Sequence, residues 1–326
     1  MIELSVQRES FPLRGTFTIS RGSRTVAEVV RVTLSRNGKR GQGEGVPYSR
    51  YDETAESVVA AIESLRQQLA KGMDRTALQE ALPPGSARNA IDCALWDLEA
   101  KEAGCHAWAL AGLPEPLDVT TAFTLSLDSP EAMGEAARQN AERPLLKLKL
   151  AGPEDLDRVR AVSANAPNSR LIVDANEGWT AEQYEAFAPE LKTLGVAMIE
   201  QPLPASDDAA LAGVQRTVPV CADESCHDRA TLSALEGKYD LVNIKLDKTG
   251  GLTEALALRE EARARGFGIM VGCMVGTSLS MAPAVLLAQG AEFVDLDGPL
   301  WMAEDRSPGL AFKGSLMAPP CAALWG

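Results

Sequence analysis

From about residue 118 onward, short apolar runs alternate with segments of helical periodicity. The runs lie at 145–150, 171–174, 197–200, 218–223, 241–246, 268–272 and 293–296, with a further candidate at 119–126. The helical pattern occurs at 153–164, 180–192, 206–212, 228–236 and 252–265. Strands that alternate with helices form βαβ units and a parallel sheet. Because eight units here share a stretch that is short for a complete eightfold barrel, the sequence predicts an α/β fold with a modified (β/α)7β barrel of the TIM type.

The residues before this stretch have a different pattern. Segments 2–8, 16–20 and 27–37 have the composition of strands, and the glycines that follow are interpreted as turn residues, namely Gly38, Gly41, Gly43 and Gly45. Helices are predicted at 53–71 and 86–103, and Gly104 is placed to end the second one. The chain should therefore divide near residue 118 into an α+β part and the barrel.

The composition excludes several classes of function. The 326 residues carry 45 acidic and 32 basic side chains, a net charge of −13, which argues against binding to nucleic acid or to an anionic membrane surface. The N-terminus lacks the pattern of a signal peptide, and no apolar run is long enough to span a bilayer. The six cysteines show no paired spacing, so free thiols and a cytoplasmic location are expected.

A charged residue stands at or near the end of five successive apolar runs. They are Lys149, Asp174, Glu200, Asp223 and Lys245, separated by 25, 26, 23 and 22 residues. Each spacing fits one strand and one helix with their loops. Equivalent positions of a β/α barrel lie at the same level, and the C-terminal ends of the strands form the mouth where active sites are built. The five side chains are therefore predicted to converge there.

The three carboxylates of this set point to a metal ion. A single acidic residue after a strand is often only a helix N-cap, but three buried carboxylates on successive strands, Asp174, Glu200 and Asp223, would repel one another without a cation. The chain has only two histidines, and His227 is interpreted as a surface residue. All-oxygen ligands favour Mg²⁺, with Mn²⁺ as an alternative, over zinc.

The lysines suggest acid–base chemistry. Lys147 and Lys149 are two residues apart on one strand, so both should face the barrel interior. Such a pair can also protect an edge strand, although strands of a closed barrel have no edge. Two close ammonium groups disfavour each other's charge, so the pKa of one should fall, which suits a general base.

Lys245 lies four strands further on, across the mouth. By strand alternation Asn243 and Asp247 should share its face, while Lys248 is interpreted as a loop residue. A metal ion flanked by two bases is suited to removing the proton beside a carboxylate. The metal can stabilise the resulting enediolate, and the second base can return a proton to the opposite face. The predicted outcome is inversion of a carbon centre.

Five motifs together resemble the enolase superfamily, in particular the branch related to muconate lactonising enzymes. They are KLK at 147–149, VDAN at 173–176, IEQP at 199–202, ADES at 222–225 and NIKLDKTGG at 243–251. The resemblance implies Mg²⁺ on Asp174, Glu200 and Asp223, with Lys149 and Lys245 as acid/base residues. It also implies a capping domain at 1–118 with substrate-specificity loops, a barrel at 119–303 and a C-terminal segment at 304–326 that packs back on the cap.

The DLDGP sequence at 295–299 resembles the dipeptide epimerases of this branch. Asp295 and Asp297 are predicted on one face of the final strand, where the resemblance implies that they grip the substrate's α-ammonium group. Lys147 is predicted to hold the substrate carboxylate. Thr124 and Cys273 match positions that line the substrate pocket.

The segment ISRGSRTVAEVV at 19–30 resembles the mobile N-terminal loop of epimerases that act on Ala-Glu. Arg24 matches the arginine that reaches the glutamate side chain, and Arg21 is an alternative. Tyr48 and Tyr51 are candidates for closing the pocket. The implied reaction converts L-Ala-D-Glu, a murein peptide fragment, into L-Ala-L-Glu.

Other functions remain compatible with the motifs. Related activities are those of muconate cycloisomerases, o-succinylbenzoate synthases and N-acylamino acid racemases, and a non-catalytic binding protein on this scaffold is a further alternative. One departure is Gly276, which stands in GCMVGTS where many members of the branch have the glutamate of GCMxES. The expected partner is a small dipeptide, and homo-oligomerisation is compatible with the sequence.

Overall fold

The structure, a computed structural model, describes residues 1–326. The N-terminal part forms an antiparallel sheet of β1 (Glu3–Ile19), β2 (Gly22–Arg36) and β3 (Lys39–Gly45). A 3-10 turn at Ser49–Tyr51 follows. The helices of this part are α1 (Ala55–Ser64), α2 (Arg66–Ala70), α3 (Arg75–Ala81), α4 (Ser86–Ala103) and α5 (Ala107–Leu110). The prediction for 86–103 is confirmed, and Gly104 ends α4 in the left-handed conformation with φ 66°.

Three of the glycines predicted as turn residues lie instead inside β3. A Cβ atom on Gly41 would lie 2.2 Å from the carbonyl oxygen of Ala94, and one on Gly43 would lie 2.2 Å from that of Ala90. Gly45 makes the same approach to α4. The turn prediction is wrong for these three positions, because α4 packs directly on the backbone of β3 and leaves no room for side chains. Gly38, with φ 75°, does form the turn between β2 and β3.

The remaining elements build the barrel and the C-terminal segment. The strands are β4 (Val119–Thr120), β5 (Phe123–Leu125), β6 (Leu145–Lys149), β7 (Arg170–Asp174), β8 (Val196–Glu200), β9 (Val220–Ala222), β10 (Leu241–Ile244), β11 (Gly268–Val271), β12 (Phe293–Val294), β13 (Phe312–Lys313) and β14 (Leu316–Met317). The helices are α6 (Pro130–Gln139), α7 (Asp155–Asn165), α8 (Ala181–Thr193), α9 (Leu246–Thr249), α10 (Leu252–Ala264), α11 (Ser278–Leu287) and α12 (Gly298–Trp301). The predicted helices at 206–212 and 228–236 are only 3-10 turns, at Ala209–Ala212 and Arg229–Ala234. Each buries a single side chain, Leu211 or Leu232, which is too little apolar surface to hold a longer helix.

Strands β5 to β12 form one parallel sheet in sequential order. Its two ends meet, because the backbone N–H of Ala122 donates to the carbonyl oxygen of Val294 at 2.7 Å. Eight apolar side chains close the floor, one at or next to each strand: Ala122, Leu145, Ile172, Met198, Cys221, Leu241, Met270 and Phe293. The predicted fold class, a modified (β/α)7β barrel with an α+β capping domain, is confirmed.

The predicted strand at 119–126 is divided between two sheets. β5 opens the barrel, whereas β4 pairs with β14 in a small antiparallel sheet with β13. Beyond this sheet the C-terminal segment reaches α4, where Trp325 Nε1 donates to the carbonyl oxygen of Cys93 at 2.9 Å. The division of the chain at residues 118 and 303 stays a prediction.

Among the helices of the structure, none combines the length and the apolar character needed to cross a bilayer.

Candidate active site

The five charged residues predicted at the strand ends do converge at one mouth of the barrel. Lys149 on β6 is the register partner of Asp174 on β7, which in turn pairs with Glu200 on β8. Asp223 follows β9 and Lys245 follows β10. All five residues are buried, and the apolar residues between them pack against the helices. The alternation that separates the leucines of 145–150 from the lysines is therefore confirmed.

The lysines balance the carboxylates through short ion pairs. Lys149 Nζ lies 2.6 Å from Asp174 Oδ2, and Lys245 Nζ lies 2.6 Å from Asp223 Oδ2. Lys147 Nζ lies 2.7 Å from Glu200 Oε2 and 3.3 Å from Asp174 Oδ2. Every member of the site thus has a partner of opposite charge, which offsets the cost of burying it.

Burial and charge act against each other on these groups. Burial alone would raise the pKa of Asp174, but Lys149 and Lys147 outweigh it and lower that pKa to about 2. For Glu200, burial and the neighbouring Asp174 prevail over Lys147 and raise the pKa to about 7. Burial opposes the charge of Lys147 and Lys245, yet the surrounding carboxylates hold the pKa of both well above the ordinary lysine value. The pKa of Lys147 is therefore raised, so the predicted fall in the pKa of one lysine of the pair does not occur at Lys147.

The donor set suits a hard divalent cation, although the carboxylates do not form a closed ligand group. Glu200 Oε2 is buried and lacks a partner with hydrogen-bond geometry, despite its approach to Lys147. No group of three or more His, Cys, Asp or Glu side chains lies ready to hold a metal ion, because lysine ammonium groups occupy the positions between the carboxylate oxygens. A cation on Asp174, Glu200 and Asp223 would require those ammonium groups to move aside, leaving all-oxygen ligands of the kind that Mg²⁺ prefers.

Lys248 is a buried member of the site that the sequence interpretation placed in a loop. It lies in α9, and its Nζ contacts Asp223 Oδ1 at 2.5 Å, the carbonyl oxygen of Asn243 at 3.0 Å and the carbonyl oxygen of Asp223. All three ammonium hydrogens thus have acceptors. The only feature of the sequence that pointed to this placement was the spacing of three residues between Lys245 and Lys248, about one helical turn. Asn243 also belongs here, since its Nδ2 donates to Glu200 Oε1 at 2.7 Å.

Gln201 is a second missed residue. It follows Glu200 with a left-handed φ of 34°, and its Oε1 accepts the backbone N–H of Asp223 at 2.9 Å and of Ser225 at 3.1 Å. Its Nε2 donates to Tyr239 OH at 2.9 Å. This fully buried amide links the ends of β8 and β9 and so fixes the spacing between two of the carboxylates.

Asp295 and Asp297 were predicted on the final strand, but β12 ends at Val294. Both lie in the following loop, and Asp297 directly precedes α12. Asp295 Oδ2 accepts Lys147 Nζ at 2.7 Å, and Asp297 Oδ2 accepts the backbone N–H of Thr124 at 2.7 Å. The strand prediction is wrong, because Leu296 N bonds Thr121 Oγ1 instead of continuing the ladder. The pair nevertheless lies beside the site, and burial together with Asp295 raises the pKa of Asp297 to about 6.

A cleft that is partly open to solvent lies between the barrel mouth and the N-terminal sheet. Five of the predicted site residues line it: Arg24, Lys149, Asp223, Lys245 and Cys273. The other six, Asp174, Glu200, Lys147, Thr124, Asp295 and Asp297, do not line the cleft and are buried around it. Lys149 and Lys245 belong to strands four positions apart, so they approach the cleft from opposite sides.

Residues of the N-terminal part form the other wall of the cleft. They are Phe17, Ile19, Arg21, Arg24, Tyr48 and Tyr51.

The prediction of His227 as a surface residue is wrong, since its ring packs edge-on against Tyr51 at 4.9 Å and is about half buried. Asp247 does not share the face of Lys245 either. It lies in α9, and its Oδ1 accepts Asn89 Nδ2 at 2.8 Å and the N–H of Val46 at 3.0 Å, because β10 ends before it.

Gly276 stands where the resembling sequences have a glutamate. A Cβ atom on it would lie 2.9 Å from Val46 Cγ2 and 3.2 Å from Glu44 Oε1. Glu44 is a buried residue of β3, and it accepts the N–H of Thr277 at 2.9 Å and Arg306 Nε at 2.9 Å. A carboxylate is therefore present beside this position, contributed by β3 instead of residue 276.

Comparisons with known proteins agree with this geometry. Residues 1–112 match the family model of the mandelate racemase/muconate lactonizing enzyme N-terminal domain, and residues 132–308 match the enolase C-terminal domain-like family. The L-Ala-D/L-Glu epimerase of Escherichia coli K12 is 50% identical over 96% of this chain and 98% of its own length. An N-acetyl-D-glutamate racemase of Pseudoalteromonas sp. is 45% identical over 88% of this chain and 91% of its own.

A solved structure gives the same result. It is an enolase family member from Agrobacterium tumefaciens with homology to dipeptide epimerases, determined with bound sodium and L-Ala-L-Glu and with an ordered loop. It is 51% identical, covers 100% of both chains and superposes with a TM-score of 0.98.

Proposed function

Because the chain belongs to the mandelate racemase/muconate lactonizing enzyme family of the enolase superfamily, we propose that it is a divalent-metal-dependent dipeptide epimerase. The proposed reaction interconverts L-Ala-D-Glu and L-Ala-L-Glu. The observation that carries the proposal is the placement of Lys149 and Lys245 on opposite sides of one cleft, with three carboxylates between them at the strand ends. The similarity to the E. coli epimerase supports the choice of substrate.

The two lysines act in turn on the α-carbon of the glutamate residue. One takes the α-proton as a base and the other, protonated, delivers a proton to the opposite face, so the carbon is inverted without a change in composition. Microscopic reversibility exchanges the two roles when the reaction runs backwards. Burial opposes the charge of Lys245, but Asp223 and Glu200 raise its pKa, so Lys245 keeps its proton as long as no cation neutralises these two carboxylates.

Asp174, Glu200 and Asp223 are the proposed ligands of Mg²⁺, with Mn²⁺ as an alternative. A cation held there would stabilise the negative charge that develops on the substrate's carboxylate oxygens and would neutralise the carboxylates that otherwise hold the lysine protons. Lys248 and Gln201 hold Asp223 in place by binding its side chain and its backbone N–H respectively.

The rest of the cleft provides substrate recognition. Arg24 lines the cleft and forms no ion pair in the structure, so its guanidinium is free to bind the glutamate side chain. Asp295 and Asp297 are the proposed ligands of the α-ammonium group, and Lys147 connects Asp295 to the metal-ligand carboxylates. Thr124 and Cys273 contribute to the same end of the site.

A cytoplasmic role in the metabolism of murein peptides follows from the proposed substrate. Its support is the chemistry of L-Ala-D-Glu and the state of the cysteines, all six of which are free thiols. The proposed partner is the small dipeptide substrate, and a homo-oligomer is compatible with the sequence.

The test is exchange of the α-proton in D₂O. Purified protein with Mg²⁺ should introduce deuterium at the glutamate α-carbon of both L-Ala-D-Glu and L-Ala-L-Glu. Mass spectrometry or proton NMR measures the incorporation of deuterium. A panel of L-Ala-Xaa and Xaa-L-Glu dipeptides then defines the range of substrates. Absence of exchange in every dipeptide would remove the proposed function.

A second candidate is racemisation of an N-acylated glutamate. Two observations favour it: the 45% identity to an N-acetyl-D-glutamate racemase, and the ion pair of Asp295 with Lys147, which engages one oxygen of the proposed ammonium ligand. An N-acyl substrate has no ammonium group and so would not need this carboxylate pair as a ligand. Comparing exchange in L-Ala-L-Glu and N-acetyl-L-glutamate separates the two reactions directly.

A further inference from the structure

Arg21 attaches the turn between β1 and β2 to the barrel. Arg21 Nη1 donates to the carbonyl oxygen of Asn176 at 3.0 Å and to Glu177 Oε2 at 3.2 Å. Its Nη2 donates to Glu224 Oε1 at 2.6 Å and to Tyr48 OH at 3.0 Å. The guanidinium therefore joins the N-terminal hairpin, the segment after β3 and two barrel loops at a single point.

The two carboxylate acceptors of this arginine belong to the barrel and are less exposed than the arginine itself. The side chain of Glu224 is 2% exposed and that of Glu177 is 10% exposed, whereas Arg21 is 26% exposed. Arg50 adds a bidentate pair to Glu177, with both distances 2.9 Å. Withdrawal of the hairpin would therefore leave the buried carboxylate of Glu224 without its arginine partner, whereas Glu177 would keep Arg50.

The hairpin carries part of the cleft wall. Phe17 and Ile19 of β1 and Arg24 of β2 all line the cleft, and Arg21 lies between them in the chain. A second contact supports the same arrangement, since Ser20 Oγ donates to the carbonyl oxygen of Asn176 at 3.0 Å. Arg21 and Ser20 thus hold the tip of the hairpin, while Thr18 is bound to the barrel separately: its N–H donates to Ser126 Oγ at 2.7 Å and its carbonyl oxygen accepts the N–H of Leu127 at 3.0 Å.

Arg24 also lines the cleft but lacks the carboxylate contacts of Arg21. Its guanidinium lies 5.6 Å from the centre of the Tyr48 ring and makes no ion pair with a carboxylate of the protein. The two arginines, three residues apart, therefore have separate tasks: one is engaged by the protein and the other is available to a ligand.

We propose that Arg21 is a positioning residue that locks the β1–β2 hairpin over the cleft through Glu224 and Glu177, and so sets the binding of every dipeptide whatever its side chain. Arg24 acts only on substrates with a side-chain carboxylate. This inference rests on the proposed dipeptide epimerase function for its kinetic part, and on the structure alone for the lock.

The experiment compares three arginine-to-glutamine variants of the full chain with Mg²⁺ present. Arg21→Gln tests the lock, Arg24→Gln tests the ligand contact, and Arg14→Gln is the matched control, because Arg14 is an exposed residue of the same hairpin. Hydrogen–deuterium exchange of segment 14–24 measures hairpin attachment without reference to activity. KM and kcat are measured for L-Ala-L-Glu and for its neutral analogue L-Ala-L-Gln.

Arg21→Gln should speed deuterium exchange of the hairpin and raise KM about tenfold for both dipeptides, with a smaller change in kcat. Arg24→Gln should leave hairpin exchange slow and raise KM much more for L-Ala-L-Glu than for L-Ala-L-Gln. Arg14→Gln should match the wild type in all readouts.

Two results would overturn the proposal. One is unchanged hairpin exchange in Arg21→Gln. The other is a KM effect of Arg21→Gln confined to L-Ala-L-Glu, which would make Arg21 a direct ligand of the substrate carboxylate. If the wild type turned over no dipeptide, the proposed function would fail, whereas the exchange comparison would still decide whether Arg21 locks the hairpin.

Discussion

Replacing Lys248 with methionine should reveal how much stability the proposed metal site draws from a lysine that never reaches the cleft. Methionine retains the length of the stem, so the change removes mainly the ammonium group and its three contacts to Asp223 and Asn243. Lys245 still faces Asp223 at 2.6 Å, so the carboxylate keeps one cation.

The magnitude follows from burial. The Lys248 side chain is fully buried, and the Asp223 side chain is 2% exposed. Removing one partner of such a pair costs about 3–5 kcal/mol, and the remaining contact with Lys245 places this change near the lower end, at about 3 kcal/mol. An exposed pair such as Arg138 with Glu135, where both side chains are about half exposed or more, should contribute little to stability because solvent screens it.

Urea unfolding of Lys248→Met, Arg138→Gln and wild type in the absence of Mg²⁺ measures the difference, with circular dichroism as the probe. A loss of about 3 kcal/mol in Lys248→Met and little loss in Arg138→Gln is expected. Equal, small losses in both variants would refute the reasoning that Lys248 is a structural cation of the site.

Three further changes test other parts of the structure. Gly43→Ala should destabilise the protein by about 3 kcal/mol, because its Cβ would lie 2.2 Å from the Ala90 carbonyl oxygen; thermal unfolding compares it with Gly15→Ala in β1, where a Cβ atom would have open space around it. Asp92→Asn should flatten the pH dependence of stability. Burial raises the pKa of Asp92 from 3.8 to about 6, so the folded state binds this proton more tightly than the unfolded state does. The resulting contribution to stability, up to about 3 kcal/mol, is fully present below pH 3.8 and is lost as the pH rises through about 6. Urea unfolding between pH 4 and 7 checks this, and parallel curves for variant and wild type would contradict it. Glu44→Ala should raise KM more than it lowers kcat, because the loop that carries Cys273 loses its bond from Thr277 to Glu44, and equal loss in both parameters would count against that role.

The parts of the site that could be predicted from the sequence are those set by strand periodicity. Alternation placed Lys149 inside the barrel and Leu148 outside, and the regular spacing of Asp174, Glu200 and Asp223 follows from one strand and one crossover per repeat. These rules hold wherever a residue lies within a strand.

The errors occur where a strand ends earlier than its apolar run. Asp247 was predicted to share the face of Lys245 by strand alternation, and Lys248 was predicted to lie in a loop. Both lie in α9, because β10 ends at Ile244. Asp295 and Asp297 show the same effect after β12. A strand end is decided by hydrogen bonds to another segment, such as Thr121 to Leu296, and no local pattern reports them.

Contacts between distant parts of the chain were also beyond sequence reasoning. The close approach of β3 to α4 explains why Gly41 and Gly43 lack side chains, yet in the sequence these glycines look like turns. The attachment of Arg21 to Glu224 joins residues 203 positions apart. Only the folded chain distinguishes Arg21 from Arg24.

The measurement that tests the central claim most directly is stereospecific α-proton exchange by the two lysine variants. Wild type in D₂O with Mg²⁺ should exchange and interconvert L-Ala-D-Glu and L-Ala-L-Glu. Lys149→Ala and Lys245→Ala should each fail to interconvert them, and any exchange that remains should be confined to one epimer, a different one for each variant, because each lysine faces one side of the α-carbon. Full epimerisation by either variant would contradict the account of two opposed lysine bases.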